Sequence, residues 1–401
     1  MMGRSVPGGR GADGRVPGSD LGSACATVTP SRCLAATFAA LWLLQVGRDA
    51  RAGPPVVRGP RQIDRIDHLA LPLVPSFTDL VGVERAIVQA PIGGCAGPTL
   101  IAAVSAAGGL GILPCTWSAP QAVLEDVRAI RARTDLPFAG NLVLAFDVAG
   151  QLDALLAAHV PLITFSWGRP GRRWVERCHE AGARVALQVG SAEAVAGALD
   201  DGVDLLIAQG VEAGGHVQST TPLEALLIAV LDRSAGTVPV IAAGGLATAA
   251  DVRGARALGA QAAMLGTRFV ATGESEAHQS YKEALVSAGA ADSRTTLCFD
   301  GDWPFAAHRV LRNATLDAWE ATGCPQPGAR PGEGAIVLER VGGNVERYSS
   351  DPPRVGDRGS ILEACLYAGT SVQGIDDIPP AGELVRRLDA LPSRRSAADD
   401  L

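Results

Sequence analysis

Lysine is almost absent from this 401-residue sequence, in which Lys282 is the only one. A Walker A loop needs a lysine beside its phosphate-binding glycines, so this class of nucleotide site is excluded. Catalysis through a lysine Schiff base is disfavoured for the same reason. Aromatic residues are also scarce, at 4%, so the core must be built from Ala, Val, Leu and Ile. That composition suits buried layers of parallel strands and helices.

Clustered positive charge and paired cysteines are missing as well. The net charge is −7, and residues 1–70 hold nine Arg against five Asp, which leaves −11 on the rest of the chain. Because phosphate neutralisation needs clustered cations, we expect no nucleic-acid partner. None of the eight cysteines belongs to a Cys-x-x-Cys pair. We therefore expect buried thiols rather than a disulfide framework or a zinc site, and no metal.

Residues 1–75 differ in composition from the rest, being rich in Gly, Pro, Arg and Ser. Their one apolar segment, Cys33–Val46, is too short to span a bilayer comfortably, so no stable membrane span is expected. Its flanks resemble those of a signal peptide, but a leader that contains Asp13 and Asp20 is long and acidic for that role. We expect a disordered or targeting-like extension on a cytoplasmic protein, with export through this segment as the alternative.

A regular alternation of strand-like and helix-like patterns begins at residue 76. Apolar runs of strand length start near Ala86, Gly109, Phe138, Pro161, Arg184, Asp204, Val238 and Gln261. Their starts lie about 20 to 34 residues apart, the length of one βα unit. Eight such units in succession predict an α/β fold, a closed (β/α)8 TIM barrel over residues 76–289. A doubly wound open sheet is the alternative, but its Gly-x-Gly-x-x-Gly fingerprint does not follow the first strand.

The rhythm ends after the eighth unit. A helical pattern at Ala306–Ala321 is followed by a Pro/Gly-rich link, a short strand-like piece at Ala335–Arg340 and a helical pattern near Ile361–Ala368. We therefore predict a mostly helical C-terminal extension or lid over residues 290–375. Residues 376–401 are rich in charge and are predicted to form a tail.

One polar, glycine-broken stretch, Gln209–His216, follows the sixth strand and precedes a helix for which Thr221 is the predicted N-cap. Among the six histidines, only His216 combines a strand-end loop with adjacent glycines, whereas His308 falls in a helical pattern. An imidazole at such a strand end can reach a substrate and titrate near neutrality. His216 is therefore the candidate catalytic residue, with a loop-stabilising histidine as the alternative.

Glycines also follow the seventh and eighth strands, the places where such barrels commonly hold phosphate. Gly244 and Gly245 lead into a helix, and Gly266 is followed by Thr267 and Arg268. Backbone N–H groups there can approach phosphate oxygens closely, although the same glycines also suit tight turns. Polar residues close or lie in other strands and suit the edge of a flat heterocycle: Gln89, Asn141, Ser166, Gln188 and Gln209.

These residues resemble the nitronate monooxygenase family, formerly called 2-nitropropane dioxygenases, which are FMN-dependent barrel enzymes. The likeness is carried by Gln209–His216, Val240–Leu246 and Leu265–Phe269, and it extends from Phe77 through Asp302-Trp303-Pro304 and His308–Asn313 to about Val372. The resemblance implies that these residues contact FMN. Ala90, Pro91 and Ile92 would lie behind the isoalloxazine ring, and Asn141 and Gln188 would lie at its polar edge. Gln209, Gly214 and Gly215 would lie along the flavin, and the phosphate would be bound by Gly244, Gly245, Gly266 and Thr267.

The resemblance further implies that His216 is the acid/base residue near flavin N5. It implies oxidation of alkyl nitronates by O2 to a carbonyl compound and nitrite, without a nicotinamide cofactor, and leaves open whether neutral nitroalkanes also react. The Glu-Ala-Gly-Gly-His core is shared with flavin-dependent enoyl-acyl-carrier-protein reductases. An NAD(P)H-dependent enoyl-thioester reductase is therefore the alternative function, and a non-catalytic flavin- or phosphate-binding barrel is a third hypothesis.

Cys95 and Cys115 fall in the first two strand-end loops, where we expect them near the substrate mouth.

Overall fold

The computed structural model describes residues 75–301 and 303–390, and within them the predicted barrel is present. Eight parallel strands each pair with the next, and the last pairs with the first. In chain order they are β1 (Ile87–Gln89), β2 (Leu110–Pro114), β3 (Phe138–Val143), β4 (Leu162–Ser166), β5 (Arg184–Val189), β6 (Leu205–Gln209), β8 (Val240–Ala243) and β9 (Ala262–Leu265). The intervening β7 (Gly215–His216) lies outside the barrel.

Helices cover the outside of the barrel between its strands, as the spacing predicts. They are α2 (Pro98–Ala106), α3 (Pro120–Arg131), α4 (Ala149–Ala157), α5 (Gly171–Glu180), α6 (Glu193–Asp201), α7 (Leu223–Ser234), α8 (Ala249–Ala257), the short α9 (Thr267–Val270) and α10 (Gln279–Ser287). Small side chains allow close packing of the two layers. A β-carbon on Gly111 of β2 would lie 2.6 Å from the carbonyl oxygen of Ile101 in α2, which leaves room only for glycine.

The amino-terminal end of the barrel is closed by α1 (Phe77–Val81). Its N-cap Ser76 accepts a hydrogen bond from the N–H of Asp79, which fixes where the helix begins. Phe77 and Val81 then pack into the apolar barrel interior with Leu110 of β2. With this end plugged, the open end is the one formed by the carboxyl ends of the strands.

The region from 290 to 375 differs from the predicted mostly helical extension. It contains one α-helix, α11 (Ala314–Ala321), 3-10 turns at Ala290–Asp292, Ile361–Glu363 and Thr370–Gly374, and the strands β10 (Ser293–Thr296), β11 (His308–Leu311), β12 (Ile336–Glu339), β13 (Val345–Glu346) and β14 (Arg358–Gly359). The predicted helix Ala306–Ala321 is wrong in its first half, because β11 pairs there with both β10 and β7. Pairing with distant partners overrides the local helical pattern.

The predicted charged tail is also partly wrong. Ala381–Asp389 forms a helix, α12, with Leu384, Val385 and Leu388 buried in the outer layer of the barrel. These three residues lie on one helical face, while Arg386 and Arg387 lie on the other. Arg85 also forms an ion pair with Asp389 at 2.8 Å.

The predicted extension at residues 1–75, including Cys33–Val46, lies outside the described residues except for residue 75. Within the described ranges, none of the helices is long and apolar enough to cross a membrane.

Candidate active site

A cavity of about 670 Å³ opens at the carboxyl ends of the barrel strands. Its volume falls within the range usual for small-molecule and cofactor sites. Every residue for which the family resemblance implies catalysis or FMN binding lines this cavity: Ala90, Pro91, Ile92, Asn141, Gln188, Gln209, Gly214, Gly215, His216, Gly244, Gly245, Gly266 and Thr267. Ser166 lines it as well, whereas Gln89 is buried, accepts a hydrogen bond from the N–H of Ile112 at 3.1 Å and does not line the cavity. The fold therefore brings the cavity-lining residues together, and their individual roles stay predictions.

The three cavity-lining amide side chains that were predicted to meet a heterocycle are already partly engaged. The Asn141 amide donates to the Thr164 hydroxyl at 2.9 Å, and that of Gln188 donates to the Gln218 side-chain oxygen at 2.6 Å. Gln209 uses both ends of its amide on its own loop, accepting from the Gln218 N–H at 3.0 Å and donating to the His216 carbonyl at 3.3 Å. Gln209 therefore shapes the loop, and Asn141 and Gln188 keep their carbonyl oxygens for a ligand.

The loop from Gln209 to His216 is fixed by residues on both sides. The Glu212 carboxylate accepts from the N–H of Leu223 at 2.9 Å, so it caps α7 from outside the helix. The prediction of Thr221 as N-cap is wrong, since Pro222 occupies that position and its side chain offers no oxygen. Arg309 of β11 donates to the Val211 carbonyl at 3.0 Å.

Gly214 is required by a backbone contact. A β-carbon there would clash with the backbone nitrogen of Gly369 and lie 2.8 Å from the Thr267 hydroxyl oxygen. The N–H of Gly369 in turn donates to that hydroxyl at 3.0 Å. Gly214 is therefore needed because the backbone of Gly369, in the C-terminal part of the chain, packs directly against it.

The glycine loops after β8 and β9 have the features of an anion site. Within residues 75–301 and 303–390, the N–H groups of Gly244, Gly245 and Gly266 donate to no protein acceptor. Gly244 and Gly245 have positive φ angles of 115° and 72°, a conformation that favours glycine. Adjacent amides in such loops form concave anion-binding sites.

The start of α8 and Arg268 lie beside these glycines in the sequence but do not contribute to the site. At the start of α8 the N–H of Thr248 is already used in the capping box, because it donates to Asp251 at 2.8 Å. Arg268, which the sequence placed beside Thr267, is buried and bonded to Asp377, and it does not line the cavity.

His216 lines the cavity and carries a buried, unsatisfied nitrogen. Its Nε2 is buried and has no hydrogen-bond partner among the described residues. The Trp303 ring stacks on the imidazole with centroids 4.3 Å apart and planes 28° apart. Burial, together with the neighbouring His308, lowers the pKa of His216 from 6.5 to about 3. The imidazole is therefore neutral at physiological pH and offers a buried group that needs a partner.

His308 was missed as a site residue because its stretch reads as helical. It lies in β11 directly opposite His216 and is fully buried. Its Nε2 accepts from the N–H of Phe299 at 3.2 Å, which puts the proton on Nδ1, where it bonds to the Ala306 carbonyl at 3.0 Å. Burial lowers the pKa of His308, so it stays a neutral support for the strand that holds His216.

A row of aromatic rings was also missed. Trp303 contacts Trp167 edge-on with centroids 4.7 Å apart, and Phe146 at 5.1 Å. Phe146 in turn contacts Trp117 at 5.7 Å. The three tryptophans line the cavity and Phe146 packs behind them; we call these four residues the aromatic wall. The available signal was that Trp167 directly follows β4 and Trp117 comes three residues after the end of β2.

Another part of the cavity lining is charged. Asp126, Glu276, Asp351 and Arg354 line it, and burial raises the pKa of both Asp126 and Glu276. Arg354 donates to Asp351 at 2.6 Å, while its Nε has no partner in the described part of the chain.

Cys95 and Cys115, expected near the mouth, are buried and do not line the cavity. Burial raises the pKa of each thiol to about 12, so neither forms a reactive thiolate near neutrality.

Together, the fold and the cavity define a (β/α)8 protein with a ligand site at the carboxyl ends of its strands, the usual location of barrel active sites. The chain belongs to the nitronate monooxygenase family, whose sequence model matches residues 75–149 and 144–390. Membership makes it one of a family of oxidoreductases.

Individual relatives differ in their named activities. The chain is 32% identical to a nitronate monooxygenase of Pseudomonas aeruginosa over 270 residues, covering 56% of this chain and 77% of the relative. It is 34% identical over 249 residues to (3aS,4S,5R,7aS)-5-hydroxy-7a-methyl-1-oxo-octahydro-1H-indene-4-carboxyl-CoA dehydrogenase of Mycobacterium tuberculosis, covering 61% and 68%. Among solved structures, FabK from Thermotoga maritima matches with a TM-score of 0.67 and 29% identity over 79% of this chain and 95% of that one.

Proposed function

We propose that this protein is an FMN-dependent nitronate monooxygenase, which oxidises alkyl nitronates with O2 to a carbonyl compound and nitrite. The observation that carries the proposal is the convergence on one cavity of three loop amides and a histidine nitrogen that have no partner among the described residues. Family membership and the relative in Pseudomonas aeruginosa support the same reaction.

The residues present fit FMN. The free amides of Gly244, Gly245 and Gly266, with Thr267 beside them, would hold the phosphate. The remaining carbonyl oxygens of Asn141 and Gln188 would accept hydrogen bonds from the ring edge. When bound, FMN would supply the two-electron chemistry that the amino-acid side chains lack.

His216 has two possible duties toward a substrate, and both use the same nitrogen. A neutral imidazole has one N–H and one lone pair, so Nε2 can either donate a hydrogen bond to a nitronate oxygen or accept a proton from the α-carbon of a neutral nitroalkane. With its pKa lowered to about 3, His216 is not a proton donor of the imidazolium type at neutral pH. We propose that it acts as a hydrogen-bonding anchor for nitronates and as a weak proton acceptor when nitroalkanes are offered, because a ring with so low a pKa is a poor base.

The alternative is an oxidoreductase acting on a CoA or acyl-carrier thioester with NAD(P)H. The observation in its favour is the 34% identity to the CoA-ester dehydrogenase of Mycobacterium tuberculosis. A thioester enzyme would use the same cavity and the same flavin-binding loops, so the substrate must decide between the two functions.

One set of assays on the purified protein tests both functions. We expect bound or bindable FMN, oxygen uptake driven by a nitronate, and nitrite as product, without NADPH consumption on crotonyl-CoA. Absence of flavin binding would exclude both functions, and thioester-dependent NADPH oxidation without nitronate-driven oxygen uptake would leave only the alternative. His216→Asn is expected to retain FMN and lose at least about tenfold in turnover of neutral nitroalkane, because it lacks the proton acceptor. Unchanged turnover would refute the catalytic assignment of His216.

A further inference from the structure

The aromatic wall is unusual for so aromatic-poor a chain. Only 4% of its residues are aromatic, yet three of its six tryptophans, Trp117, Trp167 and Trp303, line one cavity. Tryptophans are large apolar groups that proteins place at recognition sites when they are not in the core. Their concentration here indicates that the cavity recognises something apolar.

The geometry of the wall leads outward from His216. Trp303 and the imidazole are separated by 4.3 Å, which leaves no space for a substrate between them. A substrate must therefore approach His216 from the cavity side, with Trp303 as one wall. From there the row continues through Phe146 to Trp117, whose side chain is 58% exposed.

Trp117 is held at the cavity edge despite its exposure. Its ring covers Gly93 in the loop after β1, where an added β-carbon would lie 3.3 Å from the indole Cζ3. An exposed indole costs the free protein hydrophobic free energy, and a short alkyl group bound at His216 would leave most of the wall uncovered.

Resting on the proposed function, we propose that the substrate of this site is a nitronate or nitroalkane with a flat, uncharged, aryl-sized substituent. The nitro-bearing carbon lies at His216 and the substituent lies along Trp303 and Trp117. Within the wall the rings meet edge to face, at 67° between Trp117 and Phe146 and 74° between Phe146 and Trp303, and another ring can pack against the cavity-lining tryptophans in the same manner.

The charged residues of the cavity lining support an uncharged substituent. Asp126, Glu276 and Asp351 outnumber Arg354, which is already paired with Asp351, so a carboxylate on the substrate would meet like charge there. The free Nε of Arg354 is the competing feature, and a carboxylate-bearing substrate tests it directly.

The test compares substrates within each variant, so that a general loss of folding cancels. Oxygen uptake is measured with the nitronates of phenylnitromethane, nitroethane and 3-nitropropionate on the FMN-loaded protein. We expect the wild type to prefer the phenyl over the ethyl compound in kcat/KM, and the carboxylate to be the poorest of the three. Trp117→Ala should lower the phenyl-to-ethyl ratio about 3- to 10-fold, and Trp117→Phe should restore most of it.

Phe305→Ala is the matched control, since Phe305 is an exposed aromatic residue on the same loop as Trp303 that does not line the cavity. Its ratio should equal that of the wild type. A ratio unaffected by Trp117→Ala, or the carboxylate as best substrate, would overturn the inference.

A binding measurement separates failure of this inference from failure of the proposed function. Nitrobenzene and 2-methyl-2-nitropropane have no α-hydrogen and cannot form nitronates, so their dissociation constants are measured by tryptophan fluorescence without turnover. We expect tighter binding of nitrobenzene, weakened about 3- to 10-fold by Trp117→Ala. If no nitronate is oxidised but this preference holds, the reaction is wrong and the aryl subsite stands. Equal binding of the two compounds would refute the subsite.

Discussion

Removing Trp303 is expected to raise the pKa of His216. The indole covers one face of the imidazole, and burial is the main cause of its low pKa. In Trp303→Ala, water reaches that face and stabilises the protonated ring. His308 remains on the other side and still disfavours the charge, so the recovery is expected to be partial.

The size of the effect follows from the pKa itself. A fall from 6.5 to about 3 corresponds to a preference for the neutral ring on the order of 5 kcal/mol. Exposure of one face should return part of this, so the pKa of His216 in the variant should rise above the wild-type value and stay below 6.5. Proton-accepting activity needs the neutral ring, so on lowering the pH it should be lost at a higher pH in Trp303→Ala than in the wild type.

Trp303→Ala should also change how the free energy of unfolding depends on pH. In the wild type the unfolded chain binds a proton at His216 below pH 6.5 and the native state does not until about pH 3. The free energy of unfolding therefore falls as the pH drops through this window, and it should fall less steeply in Trp303→Ala.

The direct assay is an NMR titration of the histidine ring protons, with His216→Asn used to assign the resonance. The titration covers about pH 4.5 to 8, a range that brackets the pKa of an unperturbed histidine. Over this range the wild-type His216 signal should stay constant, and the signal in Trp303→Ala should begin to shift. Phe305→Ala serves as the control on the same loop. A wild-type midpoint near 6.5, or an unchanged signal in Trp303→Ala, would refute the argument that this stack keeps His216 neutral.

Two further substitutions test how the loop is held. Gly214→Ala should abolish FMN binding and lower the free energy of unfolding by about 1 to 3 kcal/mol, because the added β-carbon would clash with Gly369. FMN binding is measured by fluorescence titration. The control is Gly254→Ala, which should bind FMN normally because an added β-carbon at Gly254 meets nothing nearby. Glu212→Gln should cost about 0.5 to 2 kcal/mol in urea denaturation, because the charged cap on the Leu223 N–H is lost; an unchanged midpoint would show that the cap contributes nothing.

The barrel was predictable because its information is local. Each strand is a short apolar run, each helix follows within one βα unit, and all eight barrel strands were confirmed. The site positions followed from the rule that ligands bind at carboxyl ends of barrel strands. The glycines and amides at those ends could therefore be predicted from the sequence to meet at one cavity.

What could not be predicted depends on pairing between distant segments. Gly215 and His216 form a strand only because Arg309 and His308 lie opposite them. The stretch containing His308 looks helical in isolation, and nothing local shows that its partner is about 90 residues earlier. Trp303 was missed as a neighbour of His216 for the same reason, since it lies on the loop that leads into this strand.

These pairings separate two kinds of residue within the stretch Gln209–His216. Gln209 bonds to its own loop, Glu212 caps α7, and Gly214 allows the contact with Gly369, so each of these has a structural duty. His216 is held by β11 through its backbone, which leaves the side-chain Nε2 unpaired. A residue fixed by its backbone and unsatisfied at its side chain is positioned for a ligand. Substitutions at Glu212 or Gly214 should therefore impair turnover by displacing His216, whereas His216→Asn should do so with the loop in place.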